Sequence, residues 1–237
     1  MERLDKFLCD CGVGTRSQVK AILKSGRVTV DGVPERDNGR KIDPASQSIC
    51  FDGEALNRQG RVVVMMNKPA GFVTATQDAR EKTVMELLPA DMKHLDLKPV
   101  GRLDKATEGL LLFTNDGELA NRLMHPAAEA NKTYLVTVTG YYEGAEERLA
   151  QSMVIDGYRI RPAKVKNIMH HGEEAQLQIT IHEGRNRQIR KMCETVGIRV
   201  KKLQRVEENG VKLGNLPLGQ WRWLTEEEIK ILQEFHK

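Results

Sequence analysis

Gly101-Arg102-Leu103-Asp104 sets a guanidinium and a carboxylate on either side of a leucine, and the apolar run Leu110 to Phe113 follows closely. That run predicts a buried strand, ended by the turn Asn115-Asp116-Gly117. A carboxylate on a loop just ahead of a buried strand has a rigid base, which suits an acid acting as a nucleophile. Taken alone, the four residues fit an aspartate that caps a turn or pairs with a nearby arginine at least as well. Glu108, four residues on, invites a rival reading of Asp104 and Glu108 as the two carboxylates of a glycosidase. The apolar strand that starts beside Glu108, together with basic patches elsewhere, favours nucleic acid over sugar.

Three further groups of residues could complete a site. Lys132-Thr133-Tyr134 puts an aromatic ring beside a cation at a strand start. Glu183-Gly184-Arg185-Asn186-Arg187-Gln188-Ile189-Arg190 is a glycine turn feeding a basic helix, and Leu203 lies on the last strand of the core. Each has a plainer reading: Tyr134 as a half-buried strand residue, Leu203 as core, Arg190 as a surface or phosphate contact. Combined, they supply an acid, a flat ring, a cation to keep the acid ionised and an apolar wall. That set suits a pocket for a planar base taken out of its stack.

These residues must be positioned by a chain of 237 residues, enough for one large domain or two unequal ones. A hydrophobic fraction of 40% supports a packed core. The net charge of +4 says little, but its distribution says more. Arg16, Lys20, Lys24 and Arg27 occur in residues 13–30 without an acid, and eight cations between Arg185 and Arg205 face only Glu183 and Glu194. Such clusters repel one another unless something offsets them, which points to a polyanionic partner. The four cysteines, Cys9, Cys11, Cys50 and Cys193, form no zinc signature and fit reduced thiols in the cytoplasm. The N-terminus MERLDKFLCD lacks an apolar signal core, and no run is long enough to span a membrane.

Residues 3–11 and a segment capped by Thr15 or Ser17 carry helical spacing, and the second helix sets Arg16, Lys20 and Lys24 along one ridge. Strands fit 27–30 and 48–51, followed by the hairpin signals Asp31-Gly32 and Asp52-Gly53. Asn57 to Gly60 reads as a linker. Beyond it, strands are expected at 61–66, 132–139, 176–181 and 198–206, and helices at 83–88, 118–124, 143–153, 185–196 and 225–235. The irregular mixture indicates an α+β fold: a small α/β domain over 1–58 and a larger domain over 61–237, built on a mixed, largely antiparallel sheet flanked by helices.

The run RLDKFLCDCGVGTRSQVKAILKSGRVTVDG resembles the S4-type RNA-binding domain. Asn67-Lys68-Pro69 with Gly71, GRLD with TEGLLLFTNDGELANRLMHP, KTY, EGRNRQIRKM and the stretch around Leu203 resemble, in order, the pseudouridine synthases of the RsuA type. The resemblance implies that a uridine in RNA has its base detached, turned and rejoined through carbon 5, with no redox cofactor, nucleotide or metal required. It makes Asp104 the nucleophile, toward the sugar or toward the ring. Tyr134 becomes the ring that stacks on the base and has a role in moving the carbon 5 proton. Arg190 becomes the cation that pairs with Asp104 and keeps it ionised, and Leu203 the pocket wall. Arg102 would displace the uridine or fill the gap it leaves. RNA contacts are expected from Arg3, Arg16, Lys20, Lys24 and Arg27 in the first domain, and from Lys68, Arg185, Arg187 and Lys191 in the second. The expected partner is ribosomal RNA or a ribosomal assembly particle, and the expected state is a cytoplasmic monomer. LGQWRWLTEEEI and KTYLVT are closer to the small-subunit (16S) branch, whereas Met124-His125-Pro126 and EGRNRQIRKM also occur in large-subunit (23S) relatives.

Overall fold

In a computed structural model of the chain, residues 1–56, 60–125 and 131–234 are described. They form two compact units, one of residues 1–62 with 90–97 and 115–117, the other of 63–89, 98–114 and 118–237. Most of the expected linker, Asn57 to Gln59, lies outside the described residues, as do Pro126 and Phe235.

The first unit contains β1 (Glu2–Arg3), α1 (Leu4–Asp10), α2 (Arg16–Lys24), β2 (Val28–Val30), β3 (Val33–Pro34), β4 (Lys41–Ile42), β5 (Ile49–Phe51) and β6 (Glu54–Ala55). Thr15, not Ser17, caps α2. Its hydroxyl accepts from the Gln18 amide, and the Gln18 side chain accepts from the Thr15 amide at 2.8 Å, a reciprocal cap. The apolar sides of both helices close on β2, β4 and β5 through Leu4, Phe7, Leu8, Val19, Leu23 and Ile42. Asp31-Gly32 and Asp52-Gly53 each hold two successive positive φ angles, the backbone that a two-residue hairpin turn demands.

The second unit holds β7 (Val63–Lys68), β8 (Lys98–Val100), β9 (Glu108–Thr114), α3 (Gly117–Met124), β10 (Lys132–Thr139), α4 (Ala145–Ala150), β11 (Val154–Ile155), β12 (Tyr158–Arg159), β13 (Lys164–His171), β14 (Glu174–Ile181), α5 (Gln188–Val196), β15 (Arg199–Glu208), β16 (Val211–Lys212), β17 (Trp221–Trp223) and α6 (Glu226–Glu234). The expected helix at 83–88 is a single 3-10 turn, Val84–Leu87. The main sheet runs β13-β14-β10-β15-β9-β7-β17, with β16 beside β15 and β8 beside β9. The β15–β9 pair is parallel and the other pairs are antiparallel. The sheet is therefore mixed and largely antiparallel, and the fold is α+β.

Strand alternation assigns the two faces. Leu110 and Leu112 of β9 join Val63 and Met65 of β7 and Leu119 and Leu123 of α3 in one apolar cluster, closed by Leu232 of α6. Tyr134, Val136 and Val138 of β10 are buried, and the first two stand opposite Arg205 and Leu203 of β15. α6 carries the expected cap. The Thr225 amide donates to Glu228 at 2.9 Å, and Arg222 grips the same carboxylate at 2.6 Å. β13 escaped the sequence reading because it is an edge strand with Lys164, Lys166, Met169 and His171 exposed, so the apolar alternation that marks a strand is missing.

Candidate active site

The segment Leu103 to Thr107 lies between β8 and β9 without regular structure, so its carbonyls need partners from elsewhere. Each one has a partner. The Thr74 hydroxyl donates to Leu103 O at 2.8 Å and accepts from the Leu103 amide at 3.2 Å. Asp104 O accepts from the Thr107 amide at 2.9 Å, and Lys105 O accepts from the Gly71 amide at 2.8 Å. Arg190 Nη2 donates to Ala106 O at 3.2 Å. Lys68 Nζ donates to Thr107 O at 2.9 Å, to Asp104 O at 3.3 Å, to Lys105 O at 3.4 Å and to Pro69 O at 3.0 Å.

Lys68 is thus the hub of the loop. Its side chain is wholly buried at the end of β7, so the expected RNA contact from Lys68 does not hold. Burial pushes its ammonium down to about 8, against the opposing pull of Asp104 and Glu108. Its neighbours complete the turn. The Asn67 amide nitrogen Nδ2 donates to Leu216 O at 2.7 Å, and the Asn67 backbone exchanges hydrogen bonds with Gln220 and Gly219. The Asn67-Lys68-Pro69 motif is a clamp on two loops.

Because the loop is held through its backbone, the Asp104 carboxylate is left over. Among the described residues nothing donates a hydrogen bond to it, and no cation stands within ion-pair distance. The expected Arg190–Asp104 pair is therefore absent. Arg190 serves the loop two residues further on, through the Ala106 carbonyl. Asp104 is half-buried, and its charge acts on the Lys68 ammonium and on the Tyr134 phenol. Arg102 is exposed, whereas Leu103 between them is buried.

Tyr134 and Leu203 are both buried on neighbouring strands. Burial pushes the Tyr134 phenol up, and the Arg205 cation pulls it down. Arg205 is a functional candidate that the sequence reading missed. Its side chain is 1% exposed, its Nε donates to Leu110 O at 2.8 Å, and its Nη2 lies 3.1 Å from Glu208 Oε2. One signal was available: on a strand, positions 203 and 205 share a face, so a buried Leu203 puts Arg205 inward. Glu108, the rival carboxylate, is engaged by Lys202 at 3.0 Å.

The basic patches divide. Arg16, Lys20 and Lys24 are exposed on α2 and, among the described residues, have no ion-pair partner. Arg3 pairs with Asp5 at 2.8 Å, and Arg27 pairs with Asp52 while lying over the Phe51 ring. In the second patch Arg185 pairs with Glu183 and lies 3.8 Å over the Tyr158 ring. Lys191 pairs with Asp156, Lys201 with Glu174, Lys202 with Glu108 and Arg205 with Glu208. Five of the eight cations are therefore offset within the chain, which removes much of the repulsion that pointed to a partner there. Arg187 remains exposed, at the start of α5.

The parallel β15–β9 pair brings Arg205 against Gly109. A Cβ on Gly109 would meet the Arg205 carbonyl oxygen at 2.2 Å, and its φ is +106°. Gly109→Ala is expected to cost about 3 kcal/mol or more in urea unfolding, because backbone rather than a flexible side chain must move. Gly101→Ala, also at positive φ but with nothing within 4 Å, is the control and should cost only about 1–2 kcal/mol.

A carboxylate on a backbone-held loop, with its charge acting on a buried tyrosine of a mixed sheet, is an arrangement that comparison with known proteins places in a family. Residues 62–195 match the RNA pseudouridylate synthase family, and residues 2–47 match the S4 domain. An uncharacterised RNA pseudouridine synthase of Bacillus subtilis is 39% identical, over 98% of both chains. The ribosomal large subunit pseudouridine synthase B of the same organism is 37% identical over 98% of this chain and 96% of its own. The ribosomal small subunit pseudouridine synthase A of Vibrio vulnificus is 34% identical over 96% and 97%. A crystal structure of a pseudouridylate synthase covers 98% of this chain and 100% of its own, at 30% identity and a TM-score of 0.68. This chain belongs to the RNA pseudouridine synthases, a family of isomerases, and carries an S4 domain ahead of the synthase domain.

Proposed function

We propose that this protein converts one uridine of ribosomal RNA to pseudouridine. The N1–C1′ bond breaks, the base turns, and a C5–C1′ bond forms, while a proton leaves C5 and one is gained at N1. Asp104 supplies the electron pair for the covalent step. Tyr134 stacks on the base and takes the C5 proton, as acid–base work requires a group within reach. Leu203 walls the pocket, and exposed Arg102 fills the space the uridine leaves. The observation that carries this reading is the Asp104 loop, with five successive carbonyls each held by a partner and the carboxylate, among the described residues, left without a donor. The wording of KTYLVT and LGQWRWLTEEEI supports 16S RNA as the target. The relative named for the large subunit, at 37% identity, supports 23S RNA as the second reading.

One experiment tests both readings. Naked 16S and 23S transcripts and ribosomal particles are incubated with the protein, and pseudouridine is mapped chemically. We expect one new site, in 16S RNA. A site in 23S RNA selects the second reading, and no site in any RNA or particle contradicts both.

The ridge of Arg16, Lys20 and Lys24 grips RNA phosphates in this reading, supported by exposure without ion-pair partners among the described residues. Changing all three to glutamine in the full chain should weaken binding and lower the slope of log affinity against log salt by about 2. An unchanged slope would show that the ridge does not face RNA.

A further inference from the structure

Arg205 is the largest of the fully buried side chains, and a guanidinium in such a place needs a reason. Its surroundings join the two elements on which the proposed chemistry depends. Through its backbone it pairs with Gly109, and through Nε it holds Leu110 O, so it fixes β15 to the start of β9, directly after the Asp104 loop. Across the sheet it stands opposite Tyr134 in the β10–β15 register. Behind it Glu208, itself 4% exposed, lies 3.1 Å from Nη2, and Lys132 Nζ lies 3.9 Å from the other Glu208 oxygen. A core that needed only volume here would be filled by an apolar side chain at no desolvation cost.

We infer that Arg205, held by Glu208, is a positioning residue that fixes Tyr134 relative to the Asp104 loop and supplies the positive charge against which the Tyr134 phenol gives up its proton. The inference rests on the reading of Asp104 and Tyr134 as the reacting pair. The charged groups that act on the phenol are Arg205 and Glu208 from β15 and Asp104 from the loop, with Lys132 two residues back on β10 paired to Glu208. The signs follow from charge. A cation favours phenolate and an anion disfavours it, so Arg205 and Glu208 act in opposite directions on the same hydroxyl. A tyrosine that accepts the C5 proton works as phenolate, so the rate rises with pH along a limb set by the phenol.

The test uses full-length protein and the RNA that wild type modifies, labelled with tritium at uridine C5. Single-turnover tritium release is followed from pH 6 to pH 11, through the range of a phenol, for wild type, Arg205→Gln, Arg205→Lys and Glu208→Gln, with RNA affinity and thermal unfolding measured beside it. Arg205→Gln is expected to slow release by about 10²-fold with affinity within a few-fold of wild type. Arg205→Lys, which keeps the charge but loses the fork, should recover about tenfold of that loss. The rising limb should move to higher pH in Arg205→Gln and to lower pH in Glu208→Gln, each by about one unit. A role in packing alone lowers the unfolding temperature and leaves the limb where it was. Folded glutamine variants with rates within about threefold of wild type, or limbs that stay put or move together, would overturn the inference. If Arg205→Gln does not fold, the direction of the limb in the near-isosteric Glu208→Gln decides. If wild type releases no tritium from any RNA, the reading of the pair fails instead.

Discussion

Asp104→Asn should abolish pseudouridine formation, by about 10⁴-fold or more in single turnover, the scale of deleting a covalent nucleophile. The same substitution should leave the protein's stability within about 0.5 kcal/mol and its RNA affinity nearly unchanged. Both halves of the expectation come from one feature. The loop is fixed by Lys68, Thr74, Gly71, Thr107 and Arg190 acting on its carbonyls, and none of these holds it through the carboxylate. A carboxamide therefore disturbs no structural bond, but it cannot supply the electron pair. Urea unfolding, RNA binding and turnover, measured on one preparation, check the split. A variant that unfolds easily would mean that Asp104 is a turn residue after all.

Lys68→Met is the second large effect, and it falls on stability and rate together. The ammonium is shared by four carbonyls in a site with no exposure. Methionine fills similar volume and takes the donor from Pro69 O and Thr107 O, while Asp104 O and Lys105 O keep the Thr107 and Gly71 amides, which should cost about 2–4 kcal/mol. The loosened loop should slow turnover by about 10²-fold, since small misplacements of a reacting group are expensive. Affinity for RNA should hold. Had Lys68 been an RNA contact, as its charge and position suggest in sequence, the result would be reversed: stability kept, affinity weakened and the salt slope lowered by about 1. The two outcomes separate cleanly in urea unfolding and salt-dependent binding.

Those two residues show what sequence carries and what it withholds. Tyr134, Val136 and Val138 alternate on a strand expected at 132–139, and they are buried as the period requires. The same period would have flagged Arg205, two places from Leu203, had the charge not argued for the surface. The fate of Lys68 was not legible, because a lysine before a proline says nothing about four carbonyls brought from Pro69 and the Asp104 loop. The expected pairing of Arg190 with Asp104 is likewise a matter of tertiary placement, and α5 delivers the guanidinium to Ala106 instead. The second basic patch is less unbalanced in the fold than in the sequence for the same reason. Its acids, Asp156, Glu174 and Glu108, are distant in sequence and adjacent only after folding. Local signals fared better: Thr15 with Gln18, Thr225 with Glu228, and the Asp-Gly turns carry their partners within a few residues.

The central claim is that Asp104 acts in an isomerisation and not in the hydrolysis that a second carboxylate at Glu108 would suggest. Nucleoside analysis of ribosomal RNA before and after reaction tests it most directly, with uridine, pseudouridine and free uracil quantified together. Each uridine lost from the target site should appear as one pseudouridine, no uracil should be released, and Asp104→Asn should produce neither. Release of free uracil, or equal conversion by Asp104→Asn, would contradict it.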